Sequence, residues 1–212
     1  MQRHEEKNYS RREEKASAFF HGAGVLFLLA AAPLFLRQAG SKGAAAIAAI
    51  SFYLFSFGVM FLISTLYHLA AAGETKRKLQ ILDHSMIYLL ILGSYAPLIF
   101  IAFRTTGSYI IAGVLLLLTF AGVTGRHFFG RKFKIFELTI YLLMGWCCAF
   151  IFPTMLAKLS SFALQMLFYG GLAYSAGTVF YLIRREFCHA VWHIFVLAGA
   201  VLQAIAVYQT VR

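Results

Sequence analysis

His189 and His193 stand four residues apart in the run Cys188-His-Ala-Val-Trp-His193. Four residues is about one helical turn, so both imidazoles leave the same face of a helix. Neutral imidazole is the commonest metal ligand among side chains, and a pair placed this way suits a metal ion. A second fragment, Ser64-Thr-Leu-Tyr-His68, puts a serine and a histidine on one face in the same manner, and Asp83 is the chain's only aspartate. Three histidines match the way catalytic zinc is held, with three protein ligands and a fourth position left for a water whose pKa falls near 7. Asp83 would then hold or deprotonate that water. Ser64 would fix the His68 ring or contact a substrate oxygen. The expected metal is Zn2+, although Mn2+ and Fe2+ accept the same donors.

Taken singly, each fragment has a plainer reading. Serine in a membrane helix usually bonds its own backbone or a neighbouring helix. A His-x-x-x-His pair also arises from amphipathic residues at a membrane interface, and an aspartate near a helix start caps the helix. It is their common placement at one end of the chain's topology that favours a site. The remaining candidates are weaker. His21 either lines the site or packs helices. His84 points about 100° away from Asp83 on a helix and so faces a different helix. His127 sits in a basic connection, and Glu137 reads as a helix cap. Cys147, Cys148 and Cys188 match no zinc-finger or disulfide spacing, and only Cys188, beside His189, has any claim on a site. Trp146 and Trp192 read as lipid-facing or packing residues. Gly22, Gly24, Gly170 and Gly171 read as places of close helix contact.

The elements that must position these groups are membrane helices. Of the 212 residues, 61% are hydrophobic and only 13% charged, far from the quarter charged of a soluble domain. A bilayer core takes about 20 apolar residues per helix. Seven such runs are visible, near 17–36, 44–71, 82–103, 107–125, 134–153, 162–183 and 190–211, with Gly, Ser or Pro at several breaks. The expected architecture is an all-α, seven-helix transmembrane bundle over residues 17–212, preceded by a charged tail over 1–16. That tail carries both signs and leads into no short cleavable apolar core, so no signal peptide is expected. No internal repeat is visible.

Basic residues give the orientation. Only Arg37, Lys42, Arg104, Lys158 and Arg212 fall on one side. The tail, the second, fourth and sixth connections and their flanks hold the other fourteen of the nineteen: Arg3, Lys7, Arg11, Arg12, Lys15, Lys76, Arg77, Lys78, Arg126, Arg131, Lys132, Lys134, Arg184 and Arg185. This asymmetry predicts an amino terminus in the cytoplasm and, with seven spans, a carboxyl terminus outside. The net charge of +11 then forms a cytoplasmic skirt suited to anionic lipid head groups, and nothing points to nucleic acid. All eight acids and all seven histidines fall on that same side. Ionisable residues in spans are costly and mark function, and here they share one end of the bundle.

In combination, order and spacing, these blocks resemble a known family. Ser64-Thr-Leu-Tyr-His68, then Leu82-Asp83-His84-Ser85-Met-Ile-Tyr with Gly93-Ser-Tyr-Ala-Pro97, then His189-Ala-Val-Trp-His193 resemble the three signature blocks of the hemolysin III family. That family is the bacterial branch of the progestin and adipoQ receptor family. Phe20-His21-Gly22 fits the bacterial pattern, and the resemblance runs from about residue 13 to 212. It implies seven helices, an inside amino terminus and a bacterial plasma membrane. It also implies a cytoplasmic-end zinc held by His68, His189 and His193, with Asp83 acting through the bound water and Ser64 in support. The wider superfamily includes alkaline ceramidases, which hydrolyse lipid amides. The short connections leave no place for a protein hormone, so the receptor role of the eukaryotic branch is not carried over.

Three functions follow as expectations. The first is an intramembrane zinc hydrolase acting on an amide or ester of a membrane lipid. The second is a non-enzymatic membrane sensor or regulator whose zinc is structural, which would need a fourth ligand such as His21 or Cys188. The third is a cytolysin, although the spans lack the amphipathic periodicity of pore-lining helices.

Overall fold

The computed structural model describes residues 9–129, 134–183 and 185–212. Arg3, His4, Glu5, Glu6, Lys7, Arg131, Lys132 and Arg184, all counted in the charge argument, lie outside the described residues. Among the described residues the chain is all-helical, without strands. In order come α1 (Arg11–Gly40), α2 (Ala44–Leu69), α3 (Glu74–Pro97), α4 (Thr106–Phe129), α5 (Lys134–Trp146), the short α6 (Phe152–Lys158), α7 (Ser161–Leu182) and α8 (Cys188–Val211).

Two of these helices run on through irregular turns. Pro97 has no N–H to give, and α3 continues past it as a π-helical turn over Leu98–Phe103. Arg104, in the left-handed region at φ 51°, closes that turn by donating its N–H to the Ile99 carbonyl at 3.0 Å. A 3-10 turn, Cys147–Ile151, joins α5 to α6, with Pro153 in the first turn of α6, where its missing donor costs nothing. The expected stop at Pro153 is therefore a helix start, and this rod continues to Lys158.

Among the described residues six helices are long and apolar enough to cross a membrane: α1, α2, α3 with its extension, α4, the α5–α6 rod and α8. The 22 residues of α7 have the length but are diluted by Gln165, Tyr169, Tyr174, Ser175 and three glycines. The lipid-facing character is plain from the surface, where Phe120, Leu117, Phe150 and Leu26 are largely exposed. Apolar exposure on this scale is foreign to a soluble monomer.

Neighbours close into a ring: α2 packs on α1 and α3, α8 on α1 and α7, α4 on α3, and α5 on α4 and α7. One core, built on Tyr53, Phe57, Phe61, Trp192 and Val207, ties α2 to α8 and α1. The other, built on Tyr88, Leu98, Leu115, Ile140 and Met144, ties α3 to α4 and α5. Small residues allow the closest approaches. A Cβ on Gly93 of α3 would land on the Ser56 side chain of α2, and one on Gly170 would meet the Gly199 carbonyl of α8 at 3.2 Å. Gly24 is likewise covered by the Phe61 ring, whereas Gly22 faces open space, so only one of that pair works as a contact glycine.

Helix starts differ from expectation in an informative way. α1 begins at Arg11, capped by the Ser10 hydroxyl, which accepts from the Glu13 amide at 3.2 Å. α3 begins at Glu74, so Lys76, Arg77 and Lys78 are helical rather than loop. Asp83 therefore lies more than two turns inside α3 and caps nothing. Glu137 is no cap either. It is buried beside Arg126 of α4, which donates to it at 3.3 Å.

Candidate metal centre

His68 occupies the last turn of α2, and His189 and His193 the first two turns of α8. α8 starts from Phe187, whose φ of 64° is in the left-handed region. That conformation costs a bulky residue on the order of 1–2 kcal/mol, and it turns the chain so that His189 enters the bundle immediately. The three histidines are all buried, and one nitrogen from each lies within 4.8 Å of the others. His68 Nε2 and His193 Nε2 lie 3.0 Å apart. Nitrogens bound at 2.0–2.1 Å to a tetrahedral zinc sit about 3.3 Å apart, so the spacing and the all-imidazole donor set fit such an ion.

The opposite edges of two of these rings are also engaged. His68 Nδ1 meets Glu14 Oε2 at 2.6 Å. His193 Nδ1 meets Nε2 of His21, which projects from α1 and is buried. Glu14 is itself held by Lys76 Nζ at 2.8 Å, and Lys76 also donates to the Tyr67 and Ala70 carbonyls at the end of α2. Glu13 Oε1 accepts from the His189 backbone N–H at 3.2 Å. A helix N-terminus leaves such amides open, and a carboxylate there is favourable. Tyr9 stacks on the His189 ring with centroids 4.3 Å apart. Burial pushes its phenol well above the ordinary range, so it stays protonated at neutral pH.

Asp83 and Ser64 are buried and, with His21 and His193, line an internal cavity of about 100 Å³. The cavity leads through mostly apolar walls toward Tyr95, Trp146 and Gln203. It shares those three residues with a second hollow of about 430 Å³ between the α5–α6 rod and α7. On the other side of His68 a cleft of about 440 Å³ opens, with Glu14, Arg11, Lys15 and Arg77 around it. The histidine cluster thus lies between a charged cleft and an apolar hollow.

All five sequence-predicted residues come to this end of the bundle. His84 turns away, with Nε2 3.2 Å from the Tyr181 hydroxyl on α7 and Nδ1 2.9 Å from the Gln80 carbonyl. Cys188 is a free, half-buried thiol outside the histidine group. Trp192 is buried against Tyr181 and His189, and Trp146 bonds Ser175 at 3.0 Å. Glu13, Glu14 and Tyr9 were missed. For Glu14 the signal lay in spacing, because Glu14 and His21 are seven residues apart and therefore share a face of α1.

Comparison with known proteins agrees with these blocks. Residues 9–204 match the haemolysin-III related family. The Hemolysin-3 homolog of Bacillus subtilis (strain 168) is 35% identical over 191 residues, covering 89% of this chain and 90% of the relative. Hemolysin-3 of Bacillus cereus is 33% identical over 193 residues, covering 90% and 88%. The human Monocyte to macrophage differentiation factor is 28% identical over 171 residues, covering 76% and 70%. With its apolar helices and bacterial relatives of matching length, this chain is a multi-pass cell-membrane protein and belongs to the haemolysin III-related family.

Proposed function

We propose that this chain is a zinc-dependent hydrolase of a lipid amide or ester, working at the cytoplasmic end of a seven-span bundle. The observation that carries the reading is a cluster of three buried imidazoles, one of which, His193, lines a mostly apolar cavity together with Asp83 and Ser64. At 1.5 Å per residue the 22 residues of α7 reach about 33 Å, enough for a bilayer core. Seven spans and the basic asymmetry support an amino terminus inside and a carboxyl terminus outside.

A divalent ion held by His68, His189 and His193 would supply a Lewis-acid centre and acidify a water to near neutral pH. The chain's own residues do the rest. Asp83 is the general base that takes the proton of the attacking water and returns it to the departing amine or alkoxide. Ser64, one turn from His68 on the same face, donates to the carbonyl oxygen or to Asp83. The apolar cavity excludes bulk water and aligns an acyl chain, while the charged cleft admits water and the polar head.

The test is metal content and turnover together. Purified protein should carry about one zinc per chain, lost in His189→Ala/His193→Ala. It should cleave a member of a lipid amide and ester panel. Asp83→Asn should keep the metal and lose about 10²–10⁴-fold in rate, the usual worth of a general base. Absence of metal after zinc loading, or a zinc-loaded protein inert on the whole panel, would sink the hydrolase.

A sensor or regulator with a closed zinc site is the second reading; it requires the buried His21 to leave His193 Nδ1 and turn in as a fourth ligand. In that case Asp83→Asn leaves function intact. The Bacillus relatives' names also keep a cytolysin in play, for which liposomes containing pure protein should show size-selective leakage.

A further inference from the structure

We infer that Glu14 and His21, both on α1, are positioning residues that fix the tautomers of His68 and His193 and so turn their Nε2 lone pairs toward one point. The inference rests on the metal-centre reading above and adds residues that neither the sequence blocks nor the relatives' names assign.

The argument starts from what a ligand imidazole needs. A neutral ring has one N–H and one lone pair, and the partner of one nitrogen decides which nitrogen is free to bind. His68 offers Nδ1 to the Glu14 carboxylate at 2.6 Å. A carboxylate only accepts, so the His68 proton sits on Nδ1 and the Nε2 lone pair is left over. That Nε2 is the atom lying 3.0 Å from His193 Nε2. On His193 the arrangement repeats with a different partner, since Nδ1 meets His21 Nε2 while Nε2 faces His68. For both Nε2 atoms to offer lone pairs, His193 must carry its proton on Nδ1 and give it to His21. His21 then keeps its own proton on Nδ1. Without an ion, two lone pairs at 3.0 Å would repel, and a cation between them removes that conflict.

Burial makes these contacts count. The His68 side chain has no exposure, and His21 and His193 are nearly as closed, so each ring nitrogen depends on the partner the protein gives it. Glu14 is itself fixed by Lys76, which is anchored to the carbonyls ending α2. The chain Lys76–Glu14–His68 thus ties α3, α1 and α2 together at the centre. The Glu14 negative charge also offsets part of an ion's positive charge. His21 is too far from His68, with centroids 6.4 Å apart, and too firmly set against His193 Nδ1 to serve in the same role as His68.

The experiment is zinc affinity by chelator competition, with cobalt(II) spectra of the same proteins. Wild type is compared with Glu14→Ala, Glu14→Gln, His21→Ala, His21→Gln and His189→Ala. Orienting partners of metal-bound histidines are typically worth 10–100-fold in affinity, and Glu14→Ala and His21→Ala should each lose about that much while still filling one site at high zinc. The glutamine variants keep an acceptor and should recover part of the loss, which a merely structural role would not produce. Their melting temperatures without metal should match wild type, guarding against misfolding. Cobalt bands should stay in place in His21→Gln and move or vanish in His189→Ala. Glu14→Ala and His21→Ala within about twofold of wild type, against the 10–100-fold expected, would overturn the inference. So would a His21→Gln spectrum displaced as in His189→Ala, which would make His21 a ligand. A wild type that binds neither metal would overturn the metal reading itself, and that outcome is visible before any α1 variant is measured.

Discussion

The buried pair of Arg126 and Glu137 gives the sharpest test of how this bundle is held together. Both side chains are almost fully enclosed, and one guanidinium nitrogen lies 3.3 Å from the carboxylate. At an effective dielectric of about 20, two unit charges at that distance attract by about 5 kcal/mol. Desolvating each ion costs several kcal/mol, so the pair as a whole is close to neutral for stability. Removing one partner is different, because it strands the other charge away from water. Glu137→Met or Arg126→Met alone should each destabilise by about 3–5 kcal/mol, while the double replacement should cost far less than the sum. For a chain of this size that is a fall of roughly 6–20 °C in melting temperature for each single variant. The assay is thermal unfolding in detergent of all four proteins. Single variants within about 1 kcal/mol of wild type, or a double variant that simply adds the two losses, would refute the claim that these charges are coupled inside the bundle. The pair also clamps α4 to α5, whose Leu138 and Tyr141 wall the cavity. Metal content should therefore survive these substitutions better than turnover does.

Two other outcomes follow from the packing and the cover. Gly93→Ala drives a methyl group into the Ser56 side chain and should destabilise by about 1–3 kcal/mol, with Ser56→Gly in the same chain recovering part of the loss in the same melt. Tyr9→Ala removes the ring stacked on His189. It should speed zinc release to a chelator by roughly two- to tenfold, the equivalent of a stacking contact of about 0.5–1.5 kcal/mol, without changing stoichiometry, and stopped-flow release measures it.

Periodicity and spacing made the apolar helices and the three histidines legible. His189 and His193 needed only the i, i+4 rule, and His68 needed the further step of drawing the topology. The helix starts were harder. Lys76-Arg77-Lys78 reads as a charged loop, yet it is the opening turn of α3, supported by the Glu74–Lys78 pair at 2.8 Å. Misplacing that start is what left a helix cap open as the plainer reading of Asp83, a residue the structure sets more than two turns inside the helix. The amino-terminal segment misled in the same way. Mixed charges made residues 1–16 look like a tail, but Glu13 and Glu14 belong to α1 and reach the histidines. Glu137 was misread because its partner, Arg126, lies across a connection on another helix, and no local pattern records such pairing.

The misplaced starts of α1 and α3 share a physical cause, and it bears on function. At the interface between water and lipid, hydropathy falls while helical geometry continues, so a hydropathy boundary ends a span one or two turns before the helix ends. Residues in those turns combine charge with fixed orientation, which is what a partner of a buried imidazole requires. Glu13, Glu14, Lys76 and His189 all sit in such turns, and each touches or holds another. The apolar rods are thus the frame, and the chemistry collects where they emerge. A site built there can draw water and a polar head from one side and an acyl chain from the other, which is the arrangement a lipid hydrolase needs and a purely structural metal would not.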